Sequence, residues 1–155
     1  MSQQTAHPSQ PHAAWVVAAD HGRARLFFAP APTAPLQELE DLVNPAARQR
    51  ERDLVSDRPG HIVKGRDGPT RAVGQHGSHK ERAADQFAGA VCQRLSQARV
   101  ADSMGRLYVI AEPKFLGLMR KHMDPATQAL VVDEIDKDVT RHSAAELRAL
   151  LPRQL

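Results

Sequence analysis

The chain has 155 residues, 41% hydrophobic and 25% charged, which suits one domain with a real core and excludes a disordered or fibrous class. Its formal net charge is +3 and its pI about 9.4, a mild basic bias carried by arginines, which supply sixteen of the twenty-one basic residues. Cys92 is the single cysteine, which excludes an intrachain disulfide and a thiolate metal set; no run approaches about 18 apolar residues, so no membrane span is expected.

The opening residues MSQQTAHPSQPHA lack a basic n-region and an apolar h-region, so a soluble, cytoplasmic protein is expected. Residues 1–12 read as a disordered tail and 13–155 as one domain. Ala13 to Asp20 is a short apolar run bounded by Asp20, His21 and Gly22, which suit a tight turn, and Ala24 to Ala29 follows at hairpin distance. After the breaker run PAPTAP, Leu36 to Val43 reads as a third strand. Residues 44–78 read as a long, loop-rich connection.

A helical stripe then appears in Ala84, Phe87, Ala88, Val91, Leu95 and Ala98, with Ser78 and Glu81 placed as a capping box at its start. Cys92 borders that stripe and reads as a small core residue. RLYVIAEP, from Arg106, is a strand buried on both faces; Pro113 opens a short helix; Leu130 to Val139 is a last strand with imperfect alternation; Thr140 or Ser143 caps a closing helix that Pro152 stops. The fold class is therefore α/β with a mixed five-stranded sheet: three antiparallel meander strands, then β-α-β-α units. That arrangement is ribonuclease H-like, and the middle domain of class I release factors shares it.

The segment NPAARQRERDLVSDRPG holds four arginines and three carboxylates in seventeen residues. Arg48, Arg50 and Arg52, continued by Arg58, Lys64, Arg66 and Arg71, make the densest basic run, diluted by Glu51, Asp53, Asp57 and Asp67. No aromatic lies between Phe28 and Phe87, so reading of single strands by base stacking is disfavoured, whereas contact with structured RNA through charge and shape needs no aromatics. The same residues also suit a folded connector, with Asn44 and Pro45 starting a turn and Asp57 pairing with Arg58 or Arg50.

The pieces VAADHGRARLF, LVNPAARQRERDLVSDRPG, FAGAVCQRL, LYVIAEPKFLGLMRKHM and VVDEIDKDVTRHSAAELRALL resemble the host attachment protein family, bacterial stand-alone relatives of the release-factor middle domain. The resemblance runs from about Trp15 to Leu151. It implies a part in attachment to host cells through its name, and a ribosome or structured-RNA partner through its relatives. In the release-factor domain a Gly-Gly-Gln loop ahead of the long helix promotes hydrolysis of peptidyl-tRNA; Gly74 and Gln75 match that motif and Val73 departs from it. A β-branched residue resists the positive φ such a loop position requires.

Two enzymatic alternatives follow: a peptidyl-tRNA esterase acting through Gln75, and a metal nuclease using Asp20 and Glu112 at neighbouring strand ends with Asp136 and Asp138 beyond them. His61, His76 and His79 lack the companions that would complete a tetrahedral metal set, and no nucleophile elbow, phosphate loop or dinucleotide fingerprint is present. The reading is thus a binding module without catalytic residues, metal or small-molecule cofactor. Its contact residues are expected at Arg48, Arg50, Arg52, Asp57, Arg58, Lys64, Arg66, Arg71, Gly74 and Gln75. Its partner is expected to be the ribosome or other structured RNA, or another protein of the attachment pathway, with no membrane involved.

Overall fold

The short apolar runs pair into one five-stranded sheet in the order β3-β2-β1-β4-β5. Its strands are β1 (Ala14–Ala19), β2 (Arg23–Ala29), β3 (Gln37–Val43), β4 (Arg106–Ala111) and β5 (Val131–Asp136). The helices are α1 (Arg71–Val100), α2 (Pro113–His122), α3 (Pro125–Gln128) and α4 (Ala144–Leu150). A computed structural model describes residues 13–47, 49, 71–101 and 103–155, and for 71–77 the backbone alone. The expected tail at residues 1–12 lies outside the described residues.

β1, β2 and β3 form an antiparallel meander, while β4 runs parallel to β1 and β5 parallel to β4. This is the mixed sheet expected from the order of elements. The β1–β2 turn is held by Asp20, whose Oδ1 accepts from the backbone N–H groups of Gly22 at 2.7 Å and Arg23 at 2.8 Å. An aspartate folding its own downstream backbone in this way is an Asx turn. Continuous apolar runs put β1 and β4 in the centre, where every residue of β1 is buried and Arg106 alone of β4 is exposed.

One face of the sheet carries Trp15, Val17, Leu26, Leu107 and Val109 and is covered by α1 and α2 through Phe87, Val91, Leu95, Phe115 and Met119. Phe87 and Phe115 meet with ring centroids 5.7 Å apart. The other face, with Val16, Phe27, Tyr108 and Ile110, is covered by Val139, Leu147, Leu151 and Leu155. Cys92 is buried, and its thiol donates to the Met119 carbonyl at 3.4 Å; burial pushes its pKa up to about 12.

Three local expectations change. The long helix begins at Arg71, about two turns before Ser78, so Ser78 is inside the helix rather than its cap. Gly74 and Gly77 lower helix propensity by about 1 kcal/mol each relative to alanine, but a helix already nucleated over the following residues extends at one bond per residue. Ser143 caps α4 by accepting from Glu146 N–H, whereas Thr140 turns its hydroxyl to Asp20. The single turn of α3 was not expected, although Asp124 before Pro125 is an N-cap signal; the Asp124 carboxylate accepts from Thr127 N–H.

Candidate nucleic-acid interface

α1 runs back along the sheet from the carboxyl end of the parallel strands to their amino end. Its far end is fixed where Ser103 accepts from the Trp15 indole at 2.8 Å, and Phe87 packs on Phe115 just beyond the carboxyl end of β4. Phe87 is the first buried residue of the helix whose side chain is described. Residues 78–82 are exposed at five consecutive positions, more than one full turn. From Arg71 to Phe87 the helix extends roughly 24 Å at 1.5 Å per residue. The stretch ahead of Phe87, exposed at residues 78–82, is referred to as the arm of α1.

The arm is braced at its root. Asp85 accepts from Lys121 Nζ at 3.2 Å and shares a 2.9 Å hydrogen bond with His122 Nε2, which holds the Asp85 carboxyl below its usual range. His79, Lys80 and Arg82, on the arm, are exposed, and Lys80 and Arg82 form no ion pair among the described residues.

The parallel strands end side by side at Ala19 and Ala111, so Asp20 and Glu112 do stand at neighbouring strand ends, as the topology required. Each is engaged within the protein. Asp20 Oδ1 closes the turn and Oδ2 accepts from Thr140 Oγ1 at 2.8 Å, while Glu112 Oε2 lies 3.2 Å from His21 Nδ1. Among the described residues no group of three or more His, Cys, Asp or Glu is placed to hold a metal ion.

Of the contact residues expected from the sequence, Arg48, Arg50, Arg52, Asp57, Arg58, Lys64 and Arg66 lie outside the described residues. Arg71, Gly74 and Gln75 belong by their backbone to the first turns of α1, not to a loop ahead of it. His61 also lies outside, and His76 is described by its backbone alone. What the sequence reading missed is the arm. The signal was available: SHKERAADQ carries no large apolar residue before Phe87, so its helical turns have nothing to bury.

Along the sheet, Arg23 binds Asp41, Arg25 binds Glu38, Arg94 binds Glu40 and Arg120 binds Glu134. Asp41 and Glu38 are held below the ordinary carboxylate range mainly by hydrogen bonds from Arg23 and Arg25. Those guanidinium groups are consumed along the strands and helices. Among the described residues no helix is long and apolar enough to cross a membrane.

A mixed α/β domain with three antiparallel and two crossover strands, and one long helix ahead of the fourth strand, has a release-factor-like fold. The fold is similar to that in a crystal structure of an archaeal translation termination factor, with a TM-score of 0.50 and 10% identity, over 83% of this chain and 31% of that one. The chain belongs to the family described as proteins required for attachment to host cells, whose family model matches residues 15–151. No curated protein matches it in sequence.

Proposed function

We propose that the chain is a cytoplasmic, non-catalytic binding module for ribosomal or other structured RNA, contacting it through the arm of α1 and the arginine-rich segment that precedes it. The observation that carries this reading is the exposure of residues 78–82 on every face of the helix. Lys80 and Arg82 give that exposed stretch positive charge that is without an ion pair among the described residues. The fold likeness to a translation termination factor is consistent with a ribosomal partner, although the chain spans 31% of that protein's length. Attachment to host cells, the role in the family's description, is then an indirect consequence of work inside the cell.

No bond-breaking step is assigned. Gly74 and Gln75 sit on helical backbone rather than in a loop, and Asp20 and Glu112 are occupied by the protein's own groups. The test is affinity capture of the full chain from native lysate, with and without ribonuclease. Structured RNA recovered with the wild type, lost after ribonuclease and lost in charge reversals at Arg50 with Arg58 or at Lys80 with Arg82, is the expected result. Partners retained after ribonuclease would replace this reading with a protein-interaction factor.

A further inference from the structure

We infer that Lys121 and His122 of α2 are positioning residues for the arm: by engaging Asp85 they keep this carboxylate off Arg82 and leave the Arg82 guanidinium to a phosphate of the RNA. This rests on the reading of the chain as an RNA-binding module. On a helix, side chains three and four residues apart are neighbours, whereas adjacent ones do not face each other. Around Arg82 those positions are Ser78, His79, Asp85 and Gln86, and around Lys80 they are His76, Gly77, Ala83 and Ala84. Asp85 is therefore the one carboxylate of α1 within helical reach of either cation, since Glu81 is adjacent to both. An arginine three residues before an aspartate is placed to form an intrahelical pair, which would occupy its guanidinium.

The structure gives that carboxylate to α2 instead. Lys121 Nζ donates to Asp85 Oδ1 at 3.2 Å, and His122 Nε2 shares a 2.9 Å hydrogen bond with the same oxygen. Gly89, one turn on from Asp85, admits the His122 ring: an added Cβ there would lie 3.4 Å from its Nδ1. Arg82 is exposed and forms no ion pair among the described residues, and neither does Lys80. The Lys121 ammonium, unlike a neutral hydrogen-bond donor, also offsets the Asp85 charge. Lys80, Arg82 and Lys121 thus stand against Glu81 and Asp85, and a positive excess remains among them. The commitment of the arginine matters most, because its planar fork binds a carboxylate or a phosphate in the same bidentate way and one excludes the other.

The experiment measures binding of the full chain to an RNA hairpin with a stem of about 16 base pairs, over a range of salt concentrations. Three variants are compared with wild type: Lys121→Gln with His122→Gln, which releases Asp85; the same pair with Asp85→Asn; and the same pair with Glu81→Gln. The last two carry equal charge, but only the one with Asp85→Asn lacks the carboxylate that can take Arg82. The pair is expected to bind roughly tenfold more weakly and to lower the slope of log affinity against log salt by about 1, the loss of one phosphate contact. Adding Asp85→Asn should restore affinity and slope to near wild type, and adding Glu81→Gln should not. Wild-type binding by the pair overturns the inference, as does a loss that Asp85→Asn leaves in place, which would mean that Lys121 touches the RNA itself. Equal rescue by Asp85→Asn and Glu81→Gln also overturns it, since net charge alone would then explain both. A wild type that binds no hairpin removes the RNA reading, and the arrangement of charge is then read without RNA. Hydrogen exchange at the Arg82 Nε–H should slow in the pair and recover with Asp85→Asn; exchange that stays the same in all of them overturns the inference. Should the pair melt early, Lys121→Gln alone, at an exposed position, is expected to give a smaller loss with the same rescue.

Discussion

Asp85 of α1 and His122 of α2 meet through a 2.9 Å hydrogen bond two residues before Phe87, the first buried residue of the helix whose side chain is described, and Lys121 reaches the same carboxylate oxygen at 3.2 Å. These two partners, His122 first, hold the Asp85 carboxyl below its ordinary value of 3.8. A carboxyl depressed in the folded state adds stability above its unfolded pKa and loses it as the pH falls through its folded pKa. Glu38, Asp41 and Asp124 are shifted in the same direction. Stability should therefore be flat near neutrality and decline below about pH 4.5, the ordinary glutamate value. Urea midpoints of wild type and Asp85→Asn should differ at pH 7 and converge towards pH 2; a gap that stays constant in acid would show that the carboxylate charge is not what braces the arm.

Arg25 joins both halves of the domain. Its Nε and Nη2 donate to the two Glu38 carboxylate oxygens at 2.9 Å, its Nη1 donates to the carbonyls of Thr140 at 3.2 Å and His142 at 2.6 Å, and its guanidinium lies 4.9 Å from the centre of the Phe27 ring. A planar fork serves all of these at once and an ammonium does not. Arg25→Lys should cost about 1.5–3 kcal/mol, the range for hydrogen bonds to charged groups, despite unchanged charge. The loss should appear as faster amide exchange at residues 138–142, because those are the carbonyls released; a global melt shift without that local signature would assign Arg25 to packing alone.

Cys92 should be chemically silent. With its thiol pushed up to about 12 by burial, almost no thiolate exists at pH 8, and the side chain is 3% exposed. An aromatic disulfide reagent should leave the native protein unlabelled over hours and label one equivalent at once in denaturant. Rapid native labelling would mean that α1 and α2 separate readily at Met119.

The sheet was legible because its signals are local: a continuous apolar run makes a central strand, and Asp20-His21-Gly22 makes a turn. The two strands with blurred alternation blur for one physical reason. Leu26 pairs with Glu40 and Phe27 with Glu38, leaving Leu39 as an extra residue in β3; Leu107 pairs with Val131 and Tyr108 with Asp133, leaving Val132 extra in β5. A bulge shifts the period-two pattern by one residue, so Leu39 and Leu42 reach the same core and Val132 is 54% exposed. Both bulges lie on edge strands, where they also hinder pairing with another chain. The start of α1 was obscured because Ser78 with Glu81 is a genuine local cap pattern that extension of the helix overrides. Neighbouring Asp20 and Glu112 could be anticipated from topology, but their partners His21 and Thr140 could not, since the latter depends on the return of the chain after β5.

Two helical glycines should respond in different ways to alanine. Gly117, in the middle of α2, is exposed, and an added Cβ there would meet nothing within 4 Å, so Gly117→Ala gains helix propensity without a steric cost. The expected gain is about 0.5–1 kcal/mol, or a Tm rise of roughly 2 °C for a chain of this size. At Gly89, on α1, a Cβ would lie 3.4 Å from His122 Nδ1, against the ring that holds Asp85. The same propensity gain is there offset by displacement of His122, so Gly89→Ala should gain less than Gly117→Ala and should loosen the root of the arm, seen as faster amide exchange around residues 78–85. Equal stabilisation by both substitutions, with no change in exchange, would show that His122 yields freely and that the brace contributes little to the direction of the arm.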